Sequence, residues 1–184
     1  VIGWFSVRTS GIYFIMITLA FAQMFYYYFN ENQYLGGSDG IFIFFKPTIF
    51  IGDFQLLDLN NPQSFYYFVL VSLIVSYLVL SAIVQAPFGQ VIRGIHANET
   101  RTRALGFNTQ RYKLISFVIA GTLAGFAGFL EANSGGIMSP AHLGWHESGT
   151  IMMVVILGGM GTLYGPVLGA FAMGFLQDYF QEIW

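Results

Sequence analysis

Histidine and carboxylate side chains close together are the first candidates for chemistry in this chain. His142 and His146 are four residues apart and Glu147 follows directly, and such side chains bind zinc when a further ligand completes the set. The order is not HExxH, and Gly144 between the two histidines favours a loop over a single helix face. We therefore predict a polar loop without a metal site. An outer gate and a protein contact are the alternatives.

Acid–base chemistry inside the apolar part of the chain is excluded by composition. The stretches 11–29, 62–92, 114–130 and 148–177 contain no Asp, Glu, Lys or Arg. The chain thus has neither the carboxylate relay of a proton-driven transporter nor the acid–base pair of a membrane enzyme. A P-loop needs Gly-Lys-Ser/Thr, and 114–184 contains no lysine. Energy for any active process must come from another polypeptide.

The overall composition indicates a lipid environment. The chain is 55% hydrophobic and 9% charged, whereas soluble domains carry about 25% charged residues. A net charge of −2 does not bear on nucleic acid, but the chain lacks a basic stripe with interleaved aromatic residues, so we predict no nucleic-acid partner. The absence of cysteine excludes a disulfide scaffold. We predict no bound cofactor.

Four apolar runs predict an all-α, polytopic membrane helix bundle. The first, 11–29, has 19 residues and would extend about 28 Å, close to the roughly 30 Å hydrocarbon core. The second and third are 65–86 and 114–130. The fourth, 150–176, is long and interrupted by Gly and Pro. Buried helices of a large soluble protein are the alternative.

The distribution of cations predicts the orientation. The segment 88–113 holds five of the seven Lys and Arg residues, and short basic loops remain cytoplasmic. The segment 30–64 is then an outer loop, and its charged residues are Glu31, Lys46, Asp39, Asp53 and Asp58. We predict a multi-pass protein of a bacterial inner membrane, and we expect that 1–184 is one domain and part of a longer chain.

The cation-rich segment is more organised than a topology signal requires. Asn98 is a suitable N-cap and Gly106 a suitable stop for a short helix. Ala104, Leu105 and Phe107 give that helix an apolar side. A short amphipathic helix in such a loop is a natural docking element for a soluble partner.

Glycine-rich elements predict a broken helix and close helix packing. Gly158, Gly159 and Pro166 interrupt the fourth run, and interrupted helices commonly mark a substrate path. We favour a re-entrant hairpin here over a single crossing. Gly161, Gly165 and Gly169 are spaced for helix packing. The third run repeats this pattern with Gly121, Gly125 and Gly128.

Several polar or small residues are candidates for a translocation path. Thr18 and Gln23 lie in the first run, where interhelical hydrogen bonds are the alternative. Gly36 and Gly37 lie in the outer loop, where a flexible turn is the alternative. Thr162 accompanies Gly158, Gly159 and Gly161 in the fourth run.

Four stretches carry a resemblance to the LivH/LivM family of permeases of ABC importers for branched-chain amino acids, more to the LivM branch. They are "RTSGIYFIMITLAFAQ" (8–23), "GGSDGI" (36–41), "FGQVIRGIHANETRTRALGFNTQRYKLISFVIAGTLAGFAG" (88–128) and "MMVVILGGMGTLYGPVLGA" (152–170). In that family a cytoplasmic "EAA" loop enters a cleft on the ATP-hydrolysing subunit. The resemblance implies that Glu99, Ala104 and Gly106 match the coupling loop, and Arg101, like Thr100, stands where the general pattern has alanine.

The resemblance also implies the partners and the function. Two ATP-binding subunits, a second permease subunit and a periplasmic or surface-tethered amino-acid-binding protein are expected. The expected function is ATP-driven import of branched-chain or related aliphatic amino acids. The same architecture carrying urea, a short amide or a sugar is the alternative, and a passive channel or facilitator is an alternative from another class.

Overall fold

The structure is a computed structural model that describes residues 2–32, 34, 36–42, 48–51, 54–58 and 61–183. Lys46 and Asp53 of the predicted outer loop lie outside the described residues. The helices are α1 (Ile2–Ser6), α2 (Ile12–Glu31), α3 (Pro62–Gln85), α4 (Pro87–Ala97), α5 (Glu99–Ala104), α6 (Thr109–Gly135), α7 (Trp145–Gly158) and α8 (Gly165–Ile183). Short 3-10 helices span Gly37–Asp39 and Pro140–Leu143.

Among the described residues, three helices are long and apolar enough to cross a membrane. They are α2, α3 and α6, with 20, 24 and 27 residues and mean hydropathies of 1.5, 2.5 and 1.8. None of their most apolar windows is buried inside the chain. Side chains that are apolar on all sides of a helix and not covered by protein require lipid or another polypeptide around them. The predicted membrane helix bundle is confirmed.

The spanning helices α2 and α6 run parallel. The rings of Phe14, in the first turn of α2, and Phe117, in the third turn of α6, lie edge to face with centroids 6.2 Å apart. Beyond their last residues, β1 (Ile41–Phe42) pairs with β4 (Ile137–Met138). This arrangement places the cation-rich segment 88–113 at one end of the bundle and 36–42 at the other.

Four short strands depart from a purely helical chain. Besides β1 and β4, an antiparallel hairpin is formed by β2 (Thr48–Ile51) and β3 (Phe54–Asp58), with a register shift between Ile49 and Phe50. All four strands lie in connections rather than in spans, where backbone groups that leave a helix need other partners. No sequence pattern indicated these strands.

The fourth apolar run is two helices, not one crossing span. In α7 and α8, Gly158 approaches Gly165 and Gly169 so closely that an added Cβ would overlap their backbone. A Cβ on Gly169 would overlap the Val154 carbonyl oxygen in turn. Because position 158 faces 165 while 154 faces 169, the helices form an antiparallel hairpin. The predicted break is confirmed.

Details of the predicted break are corrected by the structure. Gly161 lies in the turn and meets nothing within 4 Å, so it does not share a helix face with Gly165 and Gly169. Gly158 of the facing helix is the third packing glycine instead. Pro166 is the second residue of α8, where its missing N–H is harmless, so it starts a helix rather than interrupting one.

The hairpin turn lies level with the middle of α3. Tyr164, Val167 and Leu168 line one shallow cavity together with Leu73 and Leu78, which are central residues of α3. Helix α7 has 14 residues and is about 21 Å long, too short for the roughly 30 Å hydrocarbon core. The chain therefore reverses before α7 reaches the opposite end of the bundle.

The glycine repeat of α6 does not pack within this chain. A Cβ on Gly121, Gly125 or Gly128 would meet nothing within 4 Å. The prediction that these glycines mediate helix packing is therefore wrong for contacts between the described parts of the chain.

The hairpin predicts different costs for alanine at two helical glycines. Gly169→Ala should lower stability by about 2 kcal/mol because the methyl group would overlap the Val154 carbonyl oxygen. Thermal unfolding in detergent measures the effect. Gly121→Ala is the matched control, and it should be neutral or stabilising by up to about 1 kcal/mol. Equal melting temperatures for the two variants would contradict the close packing.

Candidate functional site

The cation-rich segment begins with a sharp corner between α3 and α4. Ala86 is extended (φ −65°, ψ 162°), and Pro87 occupies the first position of α4, which its fixed φ suits. Gly89 lies against the carbonyl of Val84, where a Cβ would overlap the backbone. The corner therefore lets α4 leave the axis of α3 within a few residues.

The short helix α5 has the predicted caps. The side-chain oxygen of Asn98 accepts from the backbone N–H of Arg101 at 3.0 Å, which satisfies one donor that a helix start leaves open. Gly106 has φ +92°, a conformation that L side chains rarely adopt, and its N–H donates to the Arg103 carbonyl at 3.0 Å. The predicted N-cap and stop are both confirmed.

Asn108 provides a second cap, at the start of α6. The side chain of Asn108 accepts from the backbone N–H of Arg111 at 3.2 Å. The ring of Tyr112 stacks on Phe88 of α4 at 5.4 Å and meets Phe107 edge to face at 6.2 Å. These rings join α4, the turn and α6, so the segment is a packed unit and not a flexible connection.

Glu99 is the central polar contact of this unit. Its carboxylate accepts from Lys113 Nζ at 2.6 Å and from Thr109 Oγ1 at 3.1 Å, and Arg103 Nη2 lies at 3.2 Å. Lys113 and Thr109 belong to α6, whereas Glu99 is the first residue of α5. The contacts therefore tie α5 directly to the start of a spanning helix.

The environment of Glu99 favours its charged form. The hydrogen bond from Lys113, helped by the one from Thr109 and by the positive charges of Lys113 and Arg103, outweighs desolvation and lowers the pKa of Glu99 below its ordinary 4.5. The carboxylate is 32% exposed, so solvent screens the ion pair and limits its contribution. No sequence pattern indicated the roles of Lys113 and Thr109, because partners 14 and 10 residues from Glu99 follow no helical spacing.

The opposite side of α5 and the two residues after it are exposed. Arg101, Ala104 and Gly106 are exposed, and Leu105 is 72% exposed. Thr102 is buried, and its hydroxyl donates to the Asn98 carbonyl at 3.0 Å. The α5 helix thus presents a small surface with one cation and one large apolar side chain, backed by a rigid inner side.

A cavity of about 700 Å³ lies behind this segment, between the start of α2, α4 and α6. Glu99, Lys113 and Ser116 contribute polar groups to its wall, while Ile92 and Phe117 are among its apolar lining residues. No sequence pattern indicated it, because its walls come from three separated segments.

The structure does not bring the predicted path residues into one site. The hydroxyl of Thr18 donates within its own helix, to Phe14 at 3.0 Å and Ile15 at 2.9 Å, and Gln23 lies farther along α2. Gly36 and Gly37 follow α2 at the end away from the cations. The other four candidates lie at the end of α7 and in the hairpin turn that follows it. They are Gly158, Gly159, Gly161 and Thr162.

The histidine region differs in part from the predicted loop. His142 lies in the 3-10 helix Pro140–Leu143 and His146 in the first turn of α7, with Gly144 as the junction. His142 Nδ1 is 3.9 Å from Glu131. Within the part of the chain that the structure describes, no three His, Cys, Asp or Glu side chains are placed to hold a metal ion.

Three spanning helices, a packed polar connection at one end and a glycine-packed half-length hairpin define a polytopic membrane protein. Comparison with known families agrees. The chain belongs to the family described as "Branched-chain amino acid transport system / permease component", whose model matches residues 1–183.

The similar proteins are named for two classes of solute, branched-chain amino acids and sugars. The high-affinity branched-chain amino acid transport system permease LivM of Escherichia coli K12 is 29% identical over 98% of this chain and 47% of its own length. LivM of Salmonella typhimurium LT2 is 30% identical over 92% of this chain and 44% of its own length. The ribose import permease RbsC of E. coli K12 is 32% identical over 49% of this chain and 30% of its own length.

The chain spans about half the length of the LivM proteins that it matches. No solved structure matches it significantly.

The Glu99 contacts predict a pH-dependent contribution to stability. Because the pKa of Glu99 is lowered in the folded state, its stabilisation is complete above the unfolded value and disappears as the pH falls through the folded value. Glu99→Gln should cost about 1 kcal/mol near pH 7 and progressively less below about pH 4. Thermal unfolding of the wild type and the variant across this range measures the difference.

Glu131→Gln is the control, because Glu131 lies on α6, the helix that Glu99 contacts, but its side chain is 69% exposed. Its effect should be small at every pH. A Glu99→Gln cost that stays constant down to pH 3 would show that the ion pair with Lys113 is not its source.

Proposed function

We propose that this chain is part of the permease subunit of an ATP-driven importer for branched-chain or related aliphatic amino acids in a bacterial inner membrane. The family supports transport, and the absence of Asp, Glu, Lys and Arg from the apolar stretches 11–29, 62–92, 114–130 and 148–177 supports an external energy source. The single observation that carries the proposal is the rigid segment at the cation-rich end, where Glu99 joins α5 to α6.

In this proposal the exposed side of α5 contacts an ATP-binding subunit. Arg101 offers a charge, while Ala104 and Leu105 offer an apolar contact that would be desolvated on docking. Gly106 ends the helix without a side chain in the interface. Two ATP-binding subunits, a second permease subunit and a periplasmic or surface-tethered binding protein complete the assembly.

The contacts inside the segment determine which helices would move if α5 were displaced. Glu99 bonds to Thr109 and Lys113 in the first turns of α6, and Tyr112 of the same helix stacks on Phe88. A displacement of α5 would therefore move α4 and the start of α6 as one body. Since α6 is a span, movement of the segment becomes a tilt of the bundle, which is the kind of motion alternating access needs.

The hairpin of α7 and α8 is the proposed re-entrant element of the pathway. Its turn lies level with the middle of α3, and backbone outside a helix at that depth is tolerated only beside protein or water. Gly159 at φ +99° donates its N–H to the carbonyls of Val155 and Ile156. The turn thereby satisfies some of its own backbone hydrogen-bonding groups. In this proposal it faces the pathway.

The solute class is proposed from the relatives. LivM proteins match nearly the whole chain, and their names specify branched-chain amino acids. Relatives named for ribose and xylose match about half of it, which makes a sugar the second candidate. Urea and short amides are the other alternative solutes. Passive flux is the alternative transport mode.

The proposed orientation predicts labelling from opposite sides. The 184 residues contain no cysteine, so single cysteines can be introduced at exposed positions at the two ends. Arg101→Cys should react with a membrane-impermeant maleimide only in inside-out vesicles. Ser38→Cys should react with it only in intact cells. Reversed labelling of this pair would contradict the orientation and the ATPase contact with it.

The proposed docking surface predicts a defect from one charge. In the assembled transporter, Leu105→Asp should reduce co-purification of the ATP-binding subunits and ATP-driven leucine uptake at least tenfold, because a carboxylate replaces an apolar contact. Uptake of radiolabelled leucine, isoleucine, valine, ribose and urea by reconstituted vesicles measures transport and its specificity together.

Leu143→Asp is the matched control, an exposed leucine at the other end of the bundle. It should leave co-purification of the ATP-binding subunits unchanged. ATP-independent flux, or ribose uptake in place of leucine uptake, would overturn the proposed function.

A further inference from the structure

A small cavity with two arginines lies at the cation-rich end, apart from the Glu99 contacts. It has a volume of about 290 Å³ and lies between the α1–α2 connection and the start of α6. The residues on its wall that matter here are Trp4, Arg8, Asn108, Gln110, Arg111 and Leu114. No acidic residue is among those that line it.

Neither arginine has a countercharge in the described residues. The ion pairs found there involve Glu99 and Glu131, and no described carboxylate lies within 4.0 Å of Arg8 or Arg111. The guanidinium of Arg8 lies 3.6 Å from the centroid of the Trp4 ring, and this stacking holds its planar group at the cavity. Two cations with two amide side chains, Asn108 and Gln110, form a wall that suits an anion.

The position of the cavity along the bundle suggests which anion. Arg8 precedes the first residue of α2 by four positions, and Arg111 lies in the first turn of α6, so both arginines mark the beginning of a membrane span. Trp4 and Phe5 of α1 are 47% and 51% exposed, and amphipathic aromatic rings prefer the membrane interface. The cavity therefore lies where hydrocarbon gives way to lipid headgroups.

We propose that this cavity binds the phosphate of an anionic phospholipid. The guanidinium groups of Arg8 and Arg111 match phosphate oxygens in geometry and charge, and basic pockets between spanning helices suit anionic headgroups. Leu114, one turn into α6, extends the wall towards the apolar surface, where an acyl chain can lie. A soluble phosphate would use the arginines but gain nothing from Trp4 and Leu114.

The bound lipid would join two segments that otherwise touch mainly through apolar contacts. Gly3 of α1 packs against Phe117 and Leu114 of α6, and a headgroup shared by Arg8 and Arg111 adds a polar bridge at the same place. The proposal requires a membrane but does not depend on the solute or on the ATP-binding subunits.

Lipid-dependent stability of the full permease chain tests the proposal. In neutral-lipid micelles, addition of phosphatidylglycerol should raise the melting temperature by several degrees, and phosphatidylcholine or inorganic phosphate should not. Arg8→Gln and Arg111→Gln should each weaken the apparent phosphatidylglycerol affinity by roughly fivefold. Arg101→Gln is the matched control, an exposed arginine with no described ion pair, and should keep the full lipid response.

Three results would overturn the proposal. They are an equal melting-temperature rise with phosphatidylcholine, an equal rise with inorganic phosphate alone, and an equal loss of affinity in Arg101→Gln. If Arg8→Gln does not fold, Trp4→Leu provides the second variant. It keeps both charges but removes the stacking that positions Arg8, and retention of full affinity by Trp4→Leu would then count against the site.

Discussion

The need to satisfy backbone hydrogen bonds without water is the constraint on which the rest of the structure depends. Inside lipid, each unpaired N–H or C=O costs several kcal/mol, so the chain crosses only as helix. Strands, 3-10 turns and caps are confined to the connections, as with β1–β4 pairing and the Asn98 and Asn108 caps. The one break near mid-depth, between α7 and α8, is built from glycine because backbone must approach backbone there.

Local signals made much of this predictable. Apolar runs of about 20 residues indicated the spans, and their ends were wrong by a few residues because caps such as Asn108 set them, not hydropathy. Asn98 and Gly106 were predictable because a cap and a stop act on neighbouring backbone. The glycine-rich break was visible for the same reason.

Contacts between distant segments were not predictable in this way. The Glu99–Lys113 pair, the β1–β4 pairing and the cavity between α2, α4 and α6 depend on how separate helices are placed, which no short-range pattern encodes. The glycine repeats show the difference clearly. Gly165 and Gly169 pack against Gly158, whereas the equally regular Gly121, Gly125 and Gly128 face open space in the described structure.

Sparse packing between the spanning helices affects how movement of the cation-rich segment could be transmitted. Few apolar side chains are buried among the described residues, namely Val7, Ala132 and Pro140, so α2, α3 and α6 are not held together by a common core. A bundle held mainly by its ends transmits movement through those ends. At the cation-rich end, Glu99 and Tyr112 couple α5 and α4 to α6 through polar and aromatic contacts. At the other end β1–β4 pairing joins α2 to α6. Since α6 is common to both, it is the helix through which, in the proposed mechanism, a displacement of the cation-rich segment would reach the other end of the bundle.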